Sequence, residues 1–371
     1  MKVLSLVPYT IFPAKVGGQK GIALFNEYLA KECDLTCVTI QNNDPKFAKG
    51  YHVLNILGNS SLRYINFFYF FTLRRIIKQH GITHLIVEHP YYGWLGMLLK
   101  WFCAVKLVIH SHNIESTRWK SLGKWWWKIL WYYERMTHRA ADYNFFKQDN
   151  DRNYGMSAFG LKEYKCTTIT YGIEWAEAPA QLDKLNCKEK ISALHQINQN
   201  EKIFLFNGAL DYKPNYDALL VILNTLNPIW LNNIQDYRII ICGRKLPDIL
   251  NDLKEYKDKN ILYAGFVDDI TVYFKGADVF LNPISDGGGI KTKLVEAIGY
   301  STPSVSTYNG SIGVGEEAGE LLQIVPDNDW NRFAGDTMLV AQKPAIQTPA
   351  DFYHKFYWGN IAKKAANFIQ S

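Results

Sequence analysis

Short apolar runs of strand length recur along the chain and alternate with segments of helical period. Val3–Val7, Leu35–Ile40 and Val53–Leu57 are such runs, and between the first two Ile22, Phe25, Tyr28 and Leu29 repeat at helical spacing after a loop over Ile11–Gly21. His84–Glu88, Leu107–His110 and Asp142–Phe146 continue the series. A second series follows: Ile203–Phe206, Arg238–Cys242, Ile261–Tyr263, Asp278–Leu281, Pro303–Ser306 and Leu321–Val325, with helical segments near 215–226, 247–257, 269–275 and 290–299. Strands alternating with helices predict parallel sheets joined by right-handed crossovers. Thr168–Ile173 runs into a turn at Tyr171-Gly172-Ile173-Glu174, and the polar stretch 175–200, with Pro179 near its start and no clear period, is expected to bridge two such α/β domains.

Two segments depart from this rhythm. Residues 62–78 mix Tyr64, Phe67, Phe68, Tyr69, Phe70 and Phe71 with Arg63, Arg74, Arg75 and Lys78, and residues 119–135 interleave seven tryptophans and tyrosines with Lys120, Lys124, Lys128 and Arg135. Core packing accounts for such composition, and so does an interfacial element lying at lipid headgroup level.

A length of 371 residues exceeds one ordinary hydrophobic core, and 48% apolar content supports compact structure. Charge divides unevenly: 22 Lys and Arg against 12 Asp and Glu through Trp175, then 19 against 23. The basic first half is suited to an acidic partner, such as a phosphorylated substrate or an anionic membrane surface. Nucleic acid fits poorly, because the basic residues accompany tryptophan clusters and no base-reading module is present. Met-Lys-Val-Leu-Ser-Leu-Val-Pro-Tyr is too short an apolar run for a secretory signal, and Arg74 and Arg75 interrupt the longest candidate span, so a cytoplasmic chain is expected, with peripheral contact at the inner face of the membrane as a candidate property. Six scattered cysteines have no pairing or metal-ligand spacing and are expected to be buried free thiols.

Candidate chemistry concentrates at residues 282–310. After the apolar run Val279–Leu281, Gly287, Gly288 and Gly289 strip the turn of side chains, so that backbone N–H groups can approach an anion. Ile290, Leu294, Ala297 and Ile298 then form one stripe of an amphipathic helix, with Lys293 and Glu296 beside it. A phosphate at that helix start and a ribose at Glu296 are the expected ligands. Across the first half, His110-Ser111-His112-Asn113-Ile114-Glu115 ends a strand, where open α/β sheets bind their ligands.

Taken together, Asn207-Gly208-Ala209-Leu210-Asp211-Tyr212-Lys213-Pro214-Asn215, Ile241-Cys242-Gly243-Arg244, Gly265-Phe266-Val267-Asp268-Asp269 and Gly287 to Ala297 resemble the donor domain of glycosyltransferase family 4 in order and spacing. Gly17-Gly18, the His112 to Glu115 stretch and Tyr171 to Glu174 resemble the amino-terminal part of that family more loosely. The resemblance implies the α/β GT-B fold, two Rossmann-like domains facing across a cleft: 1–172, with 355–371 crossing back onto it near Trp358, on the acceptor side, and 173–354 for the nucleotide sugar. It implies retention at the anomeric carbon, no cofactor beyond a nucleoside-diphosphate sugar as donor substrate, no metal, and a saccharide or lipid-linked saccharide acceptor, as in cell-surface polysaccharide or glycolipid assembly. Asp268-Asp269 is not the spaced acidic pair of metal-dependent transferases and is expected to cap the next helix.

On this resemblance Lys293, Lys291 and the Gly288 and Gly289 amides stabilise the leaving diphosphate, Ile290 and Gly208 line the donor, Glu296 holds the ribose, Arg244 contacts the nucleotide, and His112 orients a sugar. Gly17, Gly18, Asn113 and Glu115 are the loop and acceptor contacts. One departure is plain: most of the family carries a pair of glutamates here, and where Glu296 fills the second place the first falls on Gly288. Asp286 or the loop backbone would then meet the sugar. A nucleotide-sugar 2-epimerase of the same fold and a non-catalytic sugar-nucleotide-binding subunit are the alternatives.

Overall fold

In the computed structural model, which describes residues 1–14, 17–233 and 236–370, the chain forms two compact units, Met1–Glu174 with Tyr357–Ser371, and Trp175–Phe356. The first contains β1 (Lys2–Val7), α1 (Gly17–Leu29), β2 (Asp34–Ile40), β3 (His52–Leu57), α2 (Phe68–His80), β4 (His84–Glu88), α3 (Gly93–Cys103), β5 (Lys106–Ser111), α4 (Glu115–Ser121), α5 (Trp127–Ala140), β6 (Tyr143–Phe146), α6 (Asp149–Ala158) and β7 (Cys166–Thr168). Its seven strands are parallel in the order β3-β2-β1-β4-β5-β6-β7. Helices cover both faces, which is why the central strands are apolar without alternation: Val3, Leu4, Leu6 and Val7 are all fully buried. Leu4, Leu6, Leu85, Val87, Leu107 and Ile109 share one core with Leu73, Ile77, Leu95 and Leu99 from α2 and α3.

The second unit holds α7 (Gln181–His195), β8 (Lys202–Ala209), α8 (Lys213–Val221), which runs through a π turn at Ile222–Leu226 into α9 (Asn227–Asn233), then β9 (Tyr237–Arg244), β10 (Ile261–Gly265), α10 (Ile270–Gly276), β11 (Val279–Asn282), α11 (Thr292–Gly299), β12 (Ser304–Thr307), α12 (Tyr308–Ser311), β13 (Leu322–Val325), α13 (Trp330–Gln342) and α14 (Ala350–Phe356). The six-stranded order β10-β9-β8-β11-β12-β13 is that of a doubly wound nucleotide-binding sheet. Helix α15 (Trp358–Gln370) ends the chain within the first unit. Trp358 donates its backbone N–H to Ile173 at 2.9 Å, and its buried indole lies against Phe25 and Tyr171. Truncating such a side chain costs about 3–5 kcal/mol.

Several local expectations change. The stretch 175–200 is largely helix α7, whose only buried side chains are Cys187 and Ile191, one turn apart. Polar contacts hold it instead: Lys188 to Asp278 at 2.7 Å, Lys275 to Asp183 at 2.6 Å, and Lys184 to the Ser301 carbonyl. Those contacts leave no apolar period. The segment 247–257 lies in a 3-10 stretch, Asp248–Lys259, broken by left-handed backbone at Asn251, Asp252 and Leu253. The loop expected over Ile11–Gly21 ends early, since Gly17 and Gly18 already open α1, and residues 15 and 16 lie outside the described residues. Asp269 does cap its helix, accepting from the Thr271 N–H at 2.9 Å. All six cysteines are free, with Cys33 and Cys103 only partly buried. Among the described residues no helix is long and apolar enough to cross a membrane.

Candidate functional site

In each sheet the strand order reverses beside the first strand, between β1 and β4 and between β8 and β11. Helices leave opposite faces at that point, and the gap outside the carboxyl ends of the two strands is where open α/β sheets take ligands. Both gaps are lined by residues singled out above.

In the second unit Gly208 and Ala209 end β8 and face Gly243 and Arg244 of β9 in register. The two strands approach so closely that a Cβ on Gly243 would lie 2.2 Å from the Gly208 carbonyl oxygen, and one on Gly208 would lie 2.7 Å from Asn215 Nδ2. Asn215 Nδ2 donates to the Ala209 carbonyl at 3.0 Å and fixes the following turn. The structure therefore gives Gly208 a packing reason. On the other side of the gap the loop after β11 is tied down by Asn282 Nδ2, which donates to Ser306 Oγ at 2.8 Å and to the Gly310 carbonyl at 3.0 Å.

The glycine loop crosses this gap. Gly287 and Gly289 have φ of 94° and 80°, a region that side chains disfavour, and Gly287 packs on Pro214. Gly288 differs: its φ is not positive, and a Cβ there would meet nothing within 4 Å. The place where most of the resembled family carries a glutamate is open space in this chain. Asp286 turns back on the loop and accepts from the Gly287 N–H at 2.6 Å.

Lys291 and Lys293 are not equivalent. Lys291 Nζ points into the loop, donating to the Gly287 carbonyl at 2.7 Å and the Gly289 carbonyl at 3.1 Å, and burial pushes its pKa down to about 8 against the pull of Asp286. It braces the turn. Lys293, in the first turn of α11, is about a third exposed and pairs with Glu296 Oε2 at 3.0 Å, while Glu296 is almost buried. This pair lies directly after the glycine loop, as the sequence suggested. Arg244 stands at the end of β9, where its carbonyl accepts from the Leu210 N–H at 3.0 Å. A surface hollow of about 430 Å³ lined by Tyr308, Ile324, Pro326, Asp327 and Arg332 contains none of these groups.

In the first unit the ends of β4 and β5 build a network that sequence reading saw only in part. Glu88, the last residue of β4, is fully buried; its Oε1 lies 3.0 Å from His110 Nδ1 and its Oε2 2.6 Å from His112 Nε2. Burial alone would raise this carboxyl, but the two histidines hold it well below the usual carboxylate range. Burial pushes both imidazoles the other way, His110 to about 4. His89 stacks on His112 with ring centroids 4.4 Å apart and has a φ of 63°, strained for a non-glycine residue. Its Nδ1 lies 3.3 Å from Glu115 Oε1.

Glu115 opens α4 and is wholly buried, with Tyr91 Oη donating to its Oε2 at 2.7 Å and Arg118 3.3 Å away. Burial opposes ionisation of Glu115, yet His89, Tyr91 and Arg118 hold it down at about 2. The start of α4 is gripped by Glu134 of α5, which accepts from the N–H groups of Glu115 and Ser116 at 2.9 and 3.0 Å. Asn113 is placed by its own carbonyl, which accepts from Ser111 Oγ at 2.8 Å. Gly17 and Gly18 form the first turn of α1, with open space at Gly18. Among the described residues Glu88, His110 and His112 are the group whose donor atoms, all within 4.8 Å of one another, could hold a metal ion. Glu88, His89, Tyr91 and Glu134 escaped the sequence reading; a lone glutamate ending an otherwise apolar strand was the one signal available.

The sequence matches the model described as "Glycosyltransferase Family 4" over residues 17–176 and that described as "Glycosyl transferases group 1" over residues 201–340. It is 27% identical over 236 residues to a 44.6 kDa protein of the cps region of Klebsiella pneumoniae, a match spanning 59% of this chain and 56% of that protein. Sucrose-phosphate synthase from Thermosynechococcus elongatus is similar in structure, with a TM-score of 0.73 at 16% identity, covering 100% of this chain and 98% of that one. Anabaena HepE, solved in complex with UDP, gives a TM-score of 0.70 at 13% identity with 100% of both chains covered. The two Rossmann-like sheets are those of the GT-B fold, and the chain is a glycosyltransferase-family protein that joins a family 4 domain to a group 1 domain.

Proposed function

We propose that the chain transfers a sugar from a nucleoside diphosphate to a hydroxyl acceptor, with retention at the anomeric carbon, in the assembly of a cell-surface polysaccharide or glycolipid. The observation that carries this reading is the glycine loop at the switch point of the second sheet, followed at once by the Lys293–Glu296 pair. Structures of similar fold hold UDP and UDP-glucose, and the Klebsiella relative belongs to a cps region, which supports a nucleotide-sugar donor and a surface-polysaccharide role.

In this mechanism Lys293 leaves Glu296 enough to meet the diphosphate, and the Gly288 and Gly289 amides complete the charge compensation without a required metal ion. Glu296 accepts from the ribose hydroxyls, and Arg244 contacts the nucleotide. The bond from the anomeric carbon to the diphosphate oxygen breaks as the acceptor oxygen bonds to that carbon, and the acceptor proton passes to the leaving phosphate oxygen. His112 orients a sugar, Asn113 serves the acceptor side, and Glu115, wholly buried, acts through the His89 and Tyr91 side chains it holds. Lys291 acts through the loop it braces.

The acceptor is a saccharide or lipid-linked saccharide, met at the inner face of the membrane. Helix α5 supports that placement, because its buried side chains are polar, Glu134, Thr137 and His138, while Ile129, Tyr132 and Met136 form an exposed stripe at helical spacing and Trp125 is exposed in the turn just before the helix. Lys124, Lys128 and Arg135 flank the stripe, as suits an anionic lipid surface. A thermal-shift panel of UDP, GDP, ADP, CMP and dTDP with their sugar conjugates tests the donor site. Ligand at a hundred times its dissociation constant adds about 2.7 kcal/mol. One nucleotide family should raise the melting point by several degrees, and a shift from none of them would sink the reading. Donor turned over without acceptor to its 2-epimer would replace it by the epimerase.

A further inference from the structure

The two ring nitrogens of His112 are not equivalent. Nε2 lies 2.6 Å from one oxygen of Glu88, and the other oxygen of the same carboxylate lies 3.0 Å from His110 Nδ1. An ionised carboxylate only accepts, so both imidazole nitrogens facing it must carry hydrogen. His110 is thereby fixed as the Nδ1–H tautomer and His112 as the Nε2–H tautomer, with its lone pair on Nδ1. The open nitrogen of His110, Nε2, is sealed in the core without a partner. The His112 side chain keeps 13% of its surface exposed, and stacking on His89 restrains the ring from one face. Glu88 itself is wholly buried and cannot meet a substrate.

We propose that Glu88 is the positioning residue of the first unit: it selects the Nε2–H tautomer of His112, so that Nδ1 is offered as an acceptor to a hydroxyl of the bound saccharide. The proposal rests on the glycosyltransferase reading for its kinetic consequence, though not for the tautomer itself. A carboxylate that orients a histidine by its far nitrogen is a recurrent arrangement in catalytic and metal sites alike, and replacing it by the amide leaves the shape while presenting the wrong tautomer.

The whole chain, with Glu88→Gln and Glu88→Asp, tests it in two ways. Heteronuclear NMR of the imidazole nitrogens reads the tautomer of His112 with no need for turnover. Wild type should show Nε2–H, and Glu88→Gln, which has one acceptor oxygen for two N–H groups, should shift His112 away from that form. With donor and acceptor, Glu88→Gln should lower kcat by about 10²-fold while the donor KM moves by no more than about 3-fold, the size expected for one misplaced preorganised hydrogen bond. Glu88→Asp, which keeps the charge, should recover part of the loss. An unchanged His112 tautomer in Glu88→Gln, or a changed tautomer with unchanged kcat, overturns the proposal. Stoichiometric zinc in the wild-type protein that Glu88→Gln no longer holds would also overturn it, making the three residues metal ligands. Absence of turnover on every nucleoside-diphosphate sugar, with the tautomer change present, would refute the transferase reading and the kinetic half of the proposal together.

Discussion

Lys147, just beyond β6, should cost the fold stability at neutral pH. Its side chain is 6% exposed, its Nζ has no hydrogen-bond partner, and the rings of Phe25 and Trp358 lie 5.5 and 5.7 Å from it. Burial pushes its pKa from 10.5 down to about 8, with Glu88 pulling the other way. At 1.36 kcal/mol for each pH unit between those values the charged form costs about 3 kcal/mol. The sign follows from proton binding. Below about pH 8 both states hold the proton and the full cost is carried; between about 8 and 10.5 the unfolded chain keeps a proton that the folded chain has lost, so stability rises with pH. Lys147→Met removes the charge and keeps the length. Allowing for a lost cation–π contact of about 0.5–2 kcal/mol, the variant should be about 1–3 kcal/mol more stable at pH 7. Eight of the eleven tryptophans lie in the first unit, so urea unfolding followed by their fluorescence reports on it. The difference from wild type should close as the pH approaches 10.5. A variant less stable than wild type at pH 7, or a difference that stays constant over that range, would refute the reasoning.

The glycines should separate by cause: Gly243→Ala, whose Cβ would press on a backbone carbonyl, should lose about 1–3 kcal/mol or more in urea unfolding, whereas Gly288→Ala should stay within about 0.5 kcal/mol. Lys291→Met should cost about 1–3 kcal/mol, because two loop carbonyls lose the buried amine between them, and it should lower donor affinity in titration calorimetry. Replacing Trp125 and Ile129 together by serine should weaken cosedimentation with anionic vesicles and leave unfolding unchanged within about 0.5 kcal/mol, since both side chains face solvent.

The fold was legible because its central strands are buried on both faces and helices such as α1 and α11 carry one apolar stripe each. The loop from Gly287 to Gly289 was legible for a related reason: its left-handed backbone at Gly287 and Gly289 calls for glycine, and glycine runs are visible in a sequence. Other features had no such signature. Helix α7 is fastened by lysine–carboxylate contacts to residues about ninety positions away, so no period marks it. The two aromatic segments announced their composition but not their orientation; α5 turns its apolar stripe outward because the Glu134 carboxylate is needed inside to grip the start of α4. The two lysines of the loop looked alike until geometry separated the brace from the group left beside Glu296. Glu88 was least visible of all, being one charge at the end of a strand, with partners that only the sheet register brings opposite it.

The central claim is that Lys293, paired with Glu296 just after the glycine loop, meets the diphosphate of a sugar donor. Its most direct test is transfer to an acceptor by the wild-type chain and by Lys293→Ala, each with the nucleoside-diphosphate sugar that the binding panel selects. The account predicts product with the anomeric configuration of the donor, and a fall in kcat of about 10²–10³-fold in the variant, the usual size for one group stabilising developing charge. Turnover within a few-fold of wild type in Lys293→Ala would contradict it.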